Sequence, residues 1–398
     1  MIANNLKDIF KKELLNEIVP FWLKNSLDTD NGGYFTCLDS AGNVYDTDKF
    51  IWLQARQVYM FAFLYNNVDK NKEWLEAAIL GAEFLLKYGH DGTYNWYFSL
   101  DKFGKPLVEP YNIFSYTFAT LAFGQLGKAT NEDRYLDVAK KTFKIILSKS
   151  DNPKGGWNKN IAESRSLKNF ALPMILCNLA CENEHLITKE ELSKLIDDCL
   201  HEVLEVFYRP ELGGIIIENV TLNGELSDTF DGRLINPGHA IEAMWFIMDL
   251  GVRLGRQDLI EKAVEITLTM VEYGWDKEYG GILYFMDRLN HPVQQLEWDQ
   301  KLWWVHIETL ISLSKGYQLT GSKKCLEWFN KVYDYTWKNF RDAEKGGEWF
   351  GYLNRRGEVL FSSKGGKWKG CFHVPRGLYH CWKTWEAVAE QEELVVSK

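Results

Sequence analysis

Three histidines occupy comparable positions in the chain, each at a similar distance after a glycine pair. His239 lies in NPGHAIE, His306 in WWVHIE and His373 in GCFHVPR. The preceding glycine pairs end at 214, 281 and 347, roughly 25 residues earlier in each case. An imidazole titrates near neutral pH, so it can take and return a proton during a reaction. The spacing therefore predicts that histidines from separate segments share one cavity.

Charged side chains fall at related positions. Arg56, in WLQAR, follows the first glycine pair by a similar distance, and Glu242 and Glu308 are close in sequence to His239 and His306. An arginine can stabilise an oxyanion. Glu242 shares a helix face with His239 and is predicted to orient its ring or to bind a substrate hydroxyl. The residues predicted to contact substrate are Trp52, Tyr116, Met174, Asn178, Trp304 and His306.

Both His239 and His373 are predicted to lie near helix N-termini. The NPG sequence at 236–238 is a turn that starts a helix, and Pro375 suits a first helical turn. The positive end of a helix dipole disfavours imidazolium and lowers the pKa of a histidine there. We therefore expect both rings to be neutral at about pH 7 and ready to act as bases.

The elements that position these residues recur along the chain. The second or single glycine of each glycine-rich segment falls at 33, 92, 156, 214, 281 and 347, a period of roughly 58 to 67 residues. The turns DSAGN, DKFGK, TLNGE, DRLNH and NRRGE predict β-hairpins after all but the third glycine segment. Two amphipathic stretches follow each segment and predict a helix pair. Six such units predict an all-α (α/α)6 barrel with short β-hairpins at one mouth, in a single domain spanning residues 1–398.

Composition narrows the class of protein. The net charge is −9 and no block of Lys or Arg stands out, which argues against a nucleic-acid partner. Aromatic residues make up 15% of the chain, with 16 Trp, and their faces can stack on sugars. The scattered cysteines are predicted to be free thiols, and no His/carboxylate spacing predicts a metal. The charged N-terminus and the absence of a run of about 20 apolar residues predict a cytoplasmic protein without a membrane span.

Four segments resemble the N-acylglucosamine 2-epimerase family: NPGHAIEAMWF, LWWVHIE, KGCFHVPR and WLQAR. The resemblance covers nearly the whole chain. It implies a homodimeric (α/α)6 barrel that interconverts N-acetylglucosamine and N-acetylmannosamine in sialic acid metabolism. It also implies chemistry without a metal or organic cofactor, with ATP as an activator that is not consumed.

The resemblance implies roles for individual residues. His239 and His373 match the catalytic histidines of the family, Arg56 matches its carbonyl-polarising arginine, and Glu242 and Glu308 match its supporting acids. The stretch ALPMIL, with Met174, resembles the N-acyl branch rather than cellobiose 2-epimerases, which carry a His-rich NTHLH-type stretch there. Val305 is a small departure, because many members have proline at this position.

Three alternatives stay open. One is another aldose or cellobiose 2-epimerase, or an aldose–ketose isomerase, on the same barrel. A second is an (α/α)6 glycoside hydrolase that uses Glu242 and Glu308 as its two carboxylates, although the paired histidines are then unexplained. A third is a non-catalytic protein that uses the barrel as a binding surface.

The segment DNPKGGWNKN at 151–160 is the predicted nucleotide site. Its two lysines, Lys154 and Lys159, and its flexible glycines can hold phosphates, although no P-loop sequence is present. A solvated hairpin turn explains the same sequence equally well.

If ATP binds this segment, it should raise the midpoint of thermal unfolding and the epimerase rate, because a ligand that binds only the folded state stabilises that state. The double variant Lys154→Ala/Lys159→Ala should lose both responses while keeping the rate measured without ATP. Identical rates and midpoints with and without ATP in the unsubstituted protein contradict the nucleotide site.

Overall fold

Six helices form the inner wall of the protein. The computed structural model describes residues 2–149, 161, 164 and 166–396. In α5 (Phe114–Thr130) every residue from 115 to 127 is buried, and a helix that is largely apolar all round must be covered all round. The inner helices are α3 (Ile51–Asn67), α5 (Phe114–Thr130), α7 (Ala171–Glu182), α10 (Pro237–Leu254), α12 (Trp303–Thr320) and α14 (His373–Val396).

The outer helices bury one face only. In α13 (Lys323–Asn339) the buried residues are Cys325, Phe329, Val332 and Thr336, which follow the three- and four-residue spacing of one helix face. The outer position of these helices follows from this one-sided pattern. They are α4 (Lys72–Tyr88), α6 (Asp133–Ser148), α8 (Lys189–His201), α11 (Gln257–Gly274) and α13 (Lys323–Asn339).

The sixth repeat takes its outer helix from the start of the chain. Helices α1 (Ile2–Lys12) and α2 (Val19–Asn25) are joined by a π-helical segment, Glu13–Ile18, and α1 and this segment pack against α14. The shorter helical elements are the 3-10 segments Glu184–Leu186 and Pro210–Leu212, the π-helical segment Glu202–Phe207, and α9 (Phe230–Arg233).

The five turns predicted from the sequence are confirmed, and they share one hydrogen-bond pattern. In each, the first side chain accepts backbone N–H groups from residues later in the turn. Asp39 accepts from Ala41 at 2.8 Å and from Asn43 at 2.9 Å. The fourth residue is left-handed, with φ 86° at Gly42 and 58° at Asn290, which explains why Gly or Asn stands there. The equivalent first residues are Asp101, Thr221, Asp287 and Asn354.

Strand pairing between consecutive repeats was not predicted from the sequence. Antiparallel pairs join β3 (Lys49–Phe50) to β4 (Ser99–Leu100), β6 (Leu167–Asn169) to β9 (Asn219–Thr221), β10 (Leu234–Ile235) to β11 (Met286–Asp287), and β12 (Lys301–Leu302) to β13 (Tyr352–Leu353). Each pair links the strand before one inner helix to a strand of the next repeat. The remaining strands are β1 (Cys37–Leu38), β2 (Val44–Asp46), β5 (Pro106–Val108), β7 (Tyr208–Arg209) and β8 (Ile215–Ile216).

Backbone hydrogen bonds also join the sixth repeat to the first, so the ring is closed. The backbone N–H groups of Lys364 and Gly365 donate to the carbonyl of Leu38 at 2.9 and 3.2 Å. The rings of Phe63 on α3 and Tyr379 on α14 meet with centroids 4.8 Å apart. The predicted (α/α)6 barrel is therefore confirmed, including its closure. Buried apolar residues from Ala3 to Ala389 form one cluster, and no helix in the described ranges is both long and apolar enough to cross a bilayer.

Buried Asp–Lys pairs fasten three of the repeats. Each aspartate begins an Asp-x3-Gly-Gly sequence and pairs with a fully buried lysine that precedes an inner helix. The Nζ–Oδ2 distance is 2.7 Å for Lys49–Asp28, 2.9 Å for Lys301–Asp276 and 2.7 Å for Lys364–Asp342. Because Lys49 Nζ also donates to the carbonyls of Gly32 and Lys102, the pair fixes the glycine turn against the next repeat.

Replacing one partner of such a pair should destabilise the fold. Lys49→Met leaves the Asp28 carboxylate buried without its cation, at a cost of about 3–5 kcal/mol, measured as a lower free energy of unfolding in urea. The double variant Lys49→Met/Asp28→Asn should recover part of this loss, since an amide oxygen still accepts the backbone N–H groups of the turn. Equal losses in the single and double variants would rule out the uncompensated charge as the cause.

Candidate active site

Two imidazoles lie against the same indole at the hairpin mouth. The ring centroid of Trp304 is 5.3 Å from that of His239 and 5.8 Å from that of His373. His239 and Trp304 are in the first turns of α10 and α12, and His373 begins α14. The side chain of Asn236 accepts the backbone N–H of His239 at 3.1 Å and caps α10. The helix starts thus bring the two predicted catalytic histidines to one place.

Each imidazole has a carboxylate on one nitrogen. Nδ1 of His373 is 2.8 Å from Oε1 of Glu308, and Nδ1 of His239 is 3.0 Å from Oε1 of Glu218. Neither Nε2 makes a hydrogen bond to any described residue. Since an ionised carboxylate can only accept a hydrogen bond, Nδ1 carries the hydrogen in both rings, and Nε2 is the nitrogen left for chemistry.

The environment of His373 favours the neutral ring. Burial is the largest cause, and the positive charges of Arg56 and Arg376 add to it, so the pKa of His373 lies well below its usual value. The carboxylate of Glu242 opposes this shift only in part. A neutral His373 can accept a proton at Nε2 across the neutral pH range.

The environment of His239 favours the charged ring. Burial by itself lowers the pKa, but the charge and hydrogen bond of Glu218, with the charge of Glu242, outweigh it, so the pKa of His239 is raised. Our sequence-based expectation of a lowered pKa is therefore right for His373 and wrong for His239. Both histidines lie at a helix N-terminus, as predicted. Only His239 also faces the carboxylate of Glu218, which the sequence did not predict and which raises its pKa. Glu242 is not the residue that orients His239, because its carboxylate binds Arg376 instead.

Arg56 lies in an aromatic cage. Its guanidinium carbon is 4.0 Å from the ring centroid of Phe118, 4.5 Å from that of Trp52 and 4.6 Å from that of Phe372. The side chain makes no hydrogen bond to any described residue, and its Nε is buried without a partner. Burial lowers the pKa of Arg56 to about 9, so it is still charged at neutral pH. The cage thus holds a cation whose donors remain for a ligand.

Glu242, Glu308 and His373 could in principle hold a metal ion, since one ligand atom from each lies within 4.8 Å of the others. The guanidinium of Arg376 already lies between the two carboxylates, however. Its Nη2 is 2.5 Å from Oε1 of Glu242 and 2.6 Å from Oε1 of Glu308. A metal ion would have to compete with this cation for the same oxygens, so the group fits the arginine better than it fits a metal.

The polar atoms of two predicted substrate contacts already have partners within the protein. His306 is fully buried, its Nε2 accepts the N–H of Ile282 at 3.0 Å and its Nδ1 is 2.7 Å from the carbonyl of Leu302. Burial lowers the pKa of His306 to about 3, and no ring nitrogen is left for a sugar. The hydroxyl of Tyr116 is likewise used within the protein, by Asn95 at 3.2 Å and Lys149 at 3.0 Å.

The other predicted contacts lie where substrate could meet them or outside the described residues. Trp52 stacks on Arg56, and its ring centroid is 5.7 Å from that of Trp368, whose side chain is exposed. Met174 and Asn178 are buried on α7. Lys154 and Lys159 fall outside the described residues, so the nucleotide prediction stays a prediction.

Sequence reasoning missed two residues of the site. Glu218, in IIIENV, lies between β8 and β9. The backbone N–H of Phe170 donates to the backbone carbonyl of Glu218 at 2.9 Å, and this bond fixes the position of Glu218. Arg376 lies in the segment KGCFHVPR, three residues after His373, and that spacing on a helix was an available signal. No comparable signal pointed to Glu218, because its partner comes from another element.

Comparison with known proteins gives the family. A family model described as N-acylglucosamine 2-epimerase matches residues 33–376, a range that contains every residue of this site. The chain belongs to the N-acylglucosamine 2-epimerase family. The N-acylglucosamine 2-epimerase of Mus musculus is 38% identical to it, over 97% of this chain and 94% of that protein.

More distant relatives agree in fold. The cellobiose 2-epimerase of Dictyoglomus turgidum is 26% identical over 88% of this chain and 91% of that protein. The solved structure of a cellobiose 2-epimerase from Bacillus thermoamylovorans superposes with a TM-score of 0.82 at 21% identity, covering 96% of this chain and 99% of that one. The family member described here is an isomerase, a sugar 2-epimerase on an (α/α)6 barrel.

Removing the charge of Glu218 should change the pH dependence of the epimerase on one side only. If turnover requires a protonated His239 and a neutral His373, activity falls as pH rises through the raised pKa of His239. Glu218→Gln removes the charge that raises this pKa, and the alkaline limb of kcat/KM should move to lower pH while the acid limb stays in place.

Glu225→Gln is the matched control, since Glu225 is an exposed carboxylate on the same hairpin. Its pH profile should coincide with that of the unsubstituted enzyme. A Glu218→Gln profile with an unmoved alkaline limb would show that His239 does not set that limb.

Proposed function

We propose that this epimerase interconverts N-acetyl-D-glucosamine and N-acetyl-D-mannosamine by moving a proton at C2 of the ring-opened sugar. The observation that carries the proposal is the pair of imidazoles against Trp304, whose carboxylate partners and surroundings shift their pKa values in opposite directions. Two groups with opposite proton affinities are what a paired proton removal and return needs.

The reaction requires an open-chain substrate, because only then is C2 next to a carbonyl. Nε2 of neutral His373 takes the C2 proton, and the electrons of the C–H bond move towards the aldehyde oxygen. The uncoordinated donors of Arg56 stabilise the negative charge that develops on that oxygen. Protonated His239 then returns a proton from its Nε2 to the other face of C2, and the configuration is inverted.

The reverse reaction uses the same groups with their protons exchanged. After one turnover His373 is protonated and His239 is neutral, which is the state required by the product epimer. Proton exchange with solvent restores the starting state. The ring of His239, with a quarter of its side chain accessible, provides the route for that exchange.

The remaining charged residues hold this arrangement. Glu308 accepts hydrogen bonds from Nδ1 of His373, from Arg376 and from Nε1 of Trp245, so it fixes the direction of the His373 ring. Arg376 forms ion pairs with both Glu242 and Glu308, and we propose that the chemistry proceeds with these side chains and no metal. A homodimer and activation by ATP stay predictions from the family resemblance.

The contacts of the two carboxylates count against a glycoside hydrolase. A hydrolase needs one carboxylic acid and one carboxylate on either side of a glycosidic bond. Here Glu242 and Glu308 both bind the guanidinium of Arg376, so the two carboxylates lie together on one cation and not on either side of a bound sugar.

Replacing either histidine should stop epimerisation but leave exchange at C2 for one epimer. His239→Ala and His373→Ala should each lower kcat by about 10²–10⁴-fold, the usual contribution of a general acid or base. In D2O, His239→Ala should still exchange the C2 proton of the epimer that faces His373, and His373→Ala that of the other epimer. Proton NMR at C2 measures both.

His201→Ala is the control, because His201 is exposed and pairs only with Glu205 among the described residues. It should keep full epimerase activity and exchange both epimers. Turnover of the unsubstituted enzyme in D2O with no deuterium at C2 contradicts the mechanism. Assays with N-acetylmannosamine, mannose and cellobiose side by side test the substrate; faster turnover of cellobiose or mannose contradicts the proposed one.

A further inference from the structure

The carboxylate of Glu308 presents its two oxygens to different partners. Oε1 accepts hydrogen bonds from Nδ1 of His373 at 2.8 Å and from Nη2 of Arg376 at 2.6 Å. Oε2 accepts Nε1 of Trp245 at 2.8 Å, and no other described residue donates to that oxygen. Because Glu308 is fully buried, the indole N–H of Trp245 decides how the carboxylate is rotated and which oxygen faces His373.

The indole of Trp245 is itself held in place. The residue is 2% exposed, and its ring centroid is 4.9 Å from that of His380 on α14. The guanidinium carbon of Arg376 and Nζ of Lys315 are each 5.2 Å from the centre of the indole, and Lys315 is paired with Asp249 on α10. Positive charge beside an indole makes its N–H a better donor. Trp245 is therefore a rigid and strong donor to the carboxylate.

This hydrogen bond lowers the basicity of Glu308. A donor to a carboxylate stabilises its charged form and occupies part of its capacity to accept. Without Trp245 Nε1–H, the carboxylate would attract the proton on Nδ1 of His373 more strongly and would stabilise the imidazolium. The ring would then be charged up to a higher pH. The N–H of Trp245 thus acts on His373 through Glu308.

The other charged and titratable groups that face His373 come from α3, α10 and α14. After burial, which is the largest cause, the groups that lower the pKa of His373 are Arg56, Arg376 and His239, and Glu242 raises it. On the other side of Trp245, burial and the charges of Lys315 and Arg376 keep the pKa of His380 well below its usual value, so that ring is neutral. Among the described side chains, Glu308 alone is hydrogen-bonded to the ring of His373.

We propose that Trp245 is a positioning residue for the proton transfer, whose N–H orients the Glu308 carboxylate and limits its pull on the imidazolium, so that His373 stays a neutral base. Trp245 acts through Glu308, from behind the site. The inference rests on the proposed function for the role of His373 as the base. The proton affinity of the His373 ring can nevertheless be measured without turnover.

Two replacements remove the donor from the full chain. Trp245→Phe removes it together with part of the ring, and benzothienylalanine at position 245, in which sulfur replaces the N–H, removes it while keeping the size of the ring. NMR titration of isotope-labelled histidine, with the signal assigned by His373→Gln, should show a raised pKa of His373 in both proteins. The proton affinity of the ring should increase by about tenfold, the order of one hydrogen bond to a charged group. The acid limb of kcat/KM should move to higher pH, because less of the base is neutral at each pH.

Trp385→Phe is the matched control. Trp385 is also 2% exposed, but its Nε1 has no partner among the described residues, so this substitution removes buried volume and no hydrogen bond. Its His373 should titrate as in the unsubstituted protein. An unmoved pKa of His373 in both proteins altered at Trp245 overturns the proposal, and so does an equal rise in Trp385→Phe. A raised pKa with an unmoved acid limb supports the role of Trp245 and contradicts the proposed function, since His373 is then not the base.

Discussion

The site depends on one buried carboxylate. Glu308 is fully buried and accepts hydrogen bonds from Trp245 on α10 and from His373 and Arg376 on α14, while it belongs to α12 itself. A buried charge is tolerated only when its hydrogen bonds are complete. Three inner helices must therefore be in the correct register before Glu308 can be buried, and that register also sets the direction of the His373 ring.

The two histidines have opposite pKa shifts because their surroundings differ. Both rings present Nδ1 to a carboxylate and leave Nε2 unbonded, yet their pKa values shift in opposite directions. His373 lies among cations within the barrel wall, whereas His239 is partly exposed and faces two carboxylates that outweigh its burial. In the proposed reaction these opposite shifts make His373 the base and His239 the acid, and both rings lie against one indole.

The sequence predicted the features that depend on residue spacing within a repeat. It missed the side-chain contacts that depend on residues from other repeats. Turn chemistry at Asp39 and Asp287 and the periodicity of the helices are local, so the hairpins and the barrel could be foreseen. His306 follows its glycine pair at the same distance as His239 does, but it packs on Tyr335 and Phe340. Both of its ring nitrogens bond to backbone groups. The pairing of Glu218 with His239 requires the strand contacts between repeats, which no local pattern revealed.

The outer partner of α14 has a consequence for how the enzyme is made. Residues 2–25 precede the barrel in the chain, so they leave the ribosome before the five repeats that separate them from α14, the helix they cover. Until then the apolar face of α1 lacks its permanent neighbour, and the first and sixth repeats cannot be joined. The repeats between them can stack as they emerge. His373 is the first residue of the same helix, so the proposed base reaches the active site only when the ring can close.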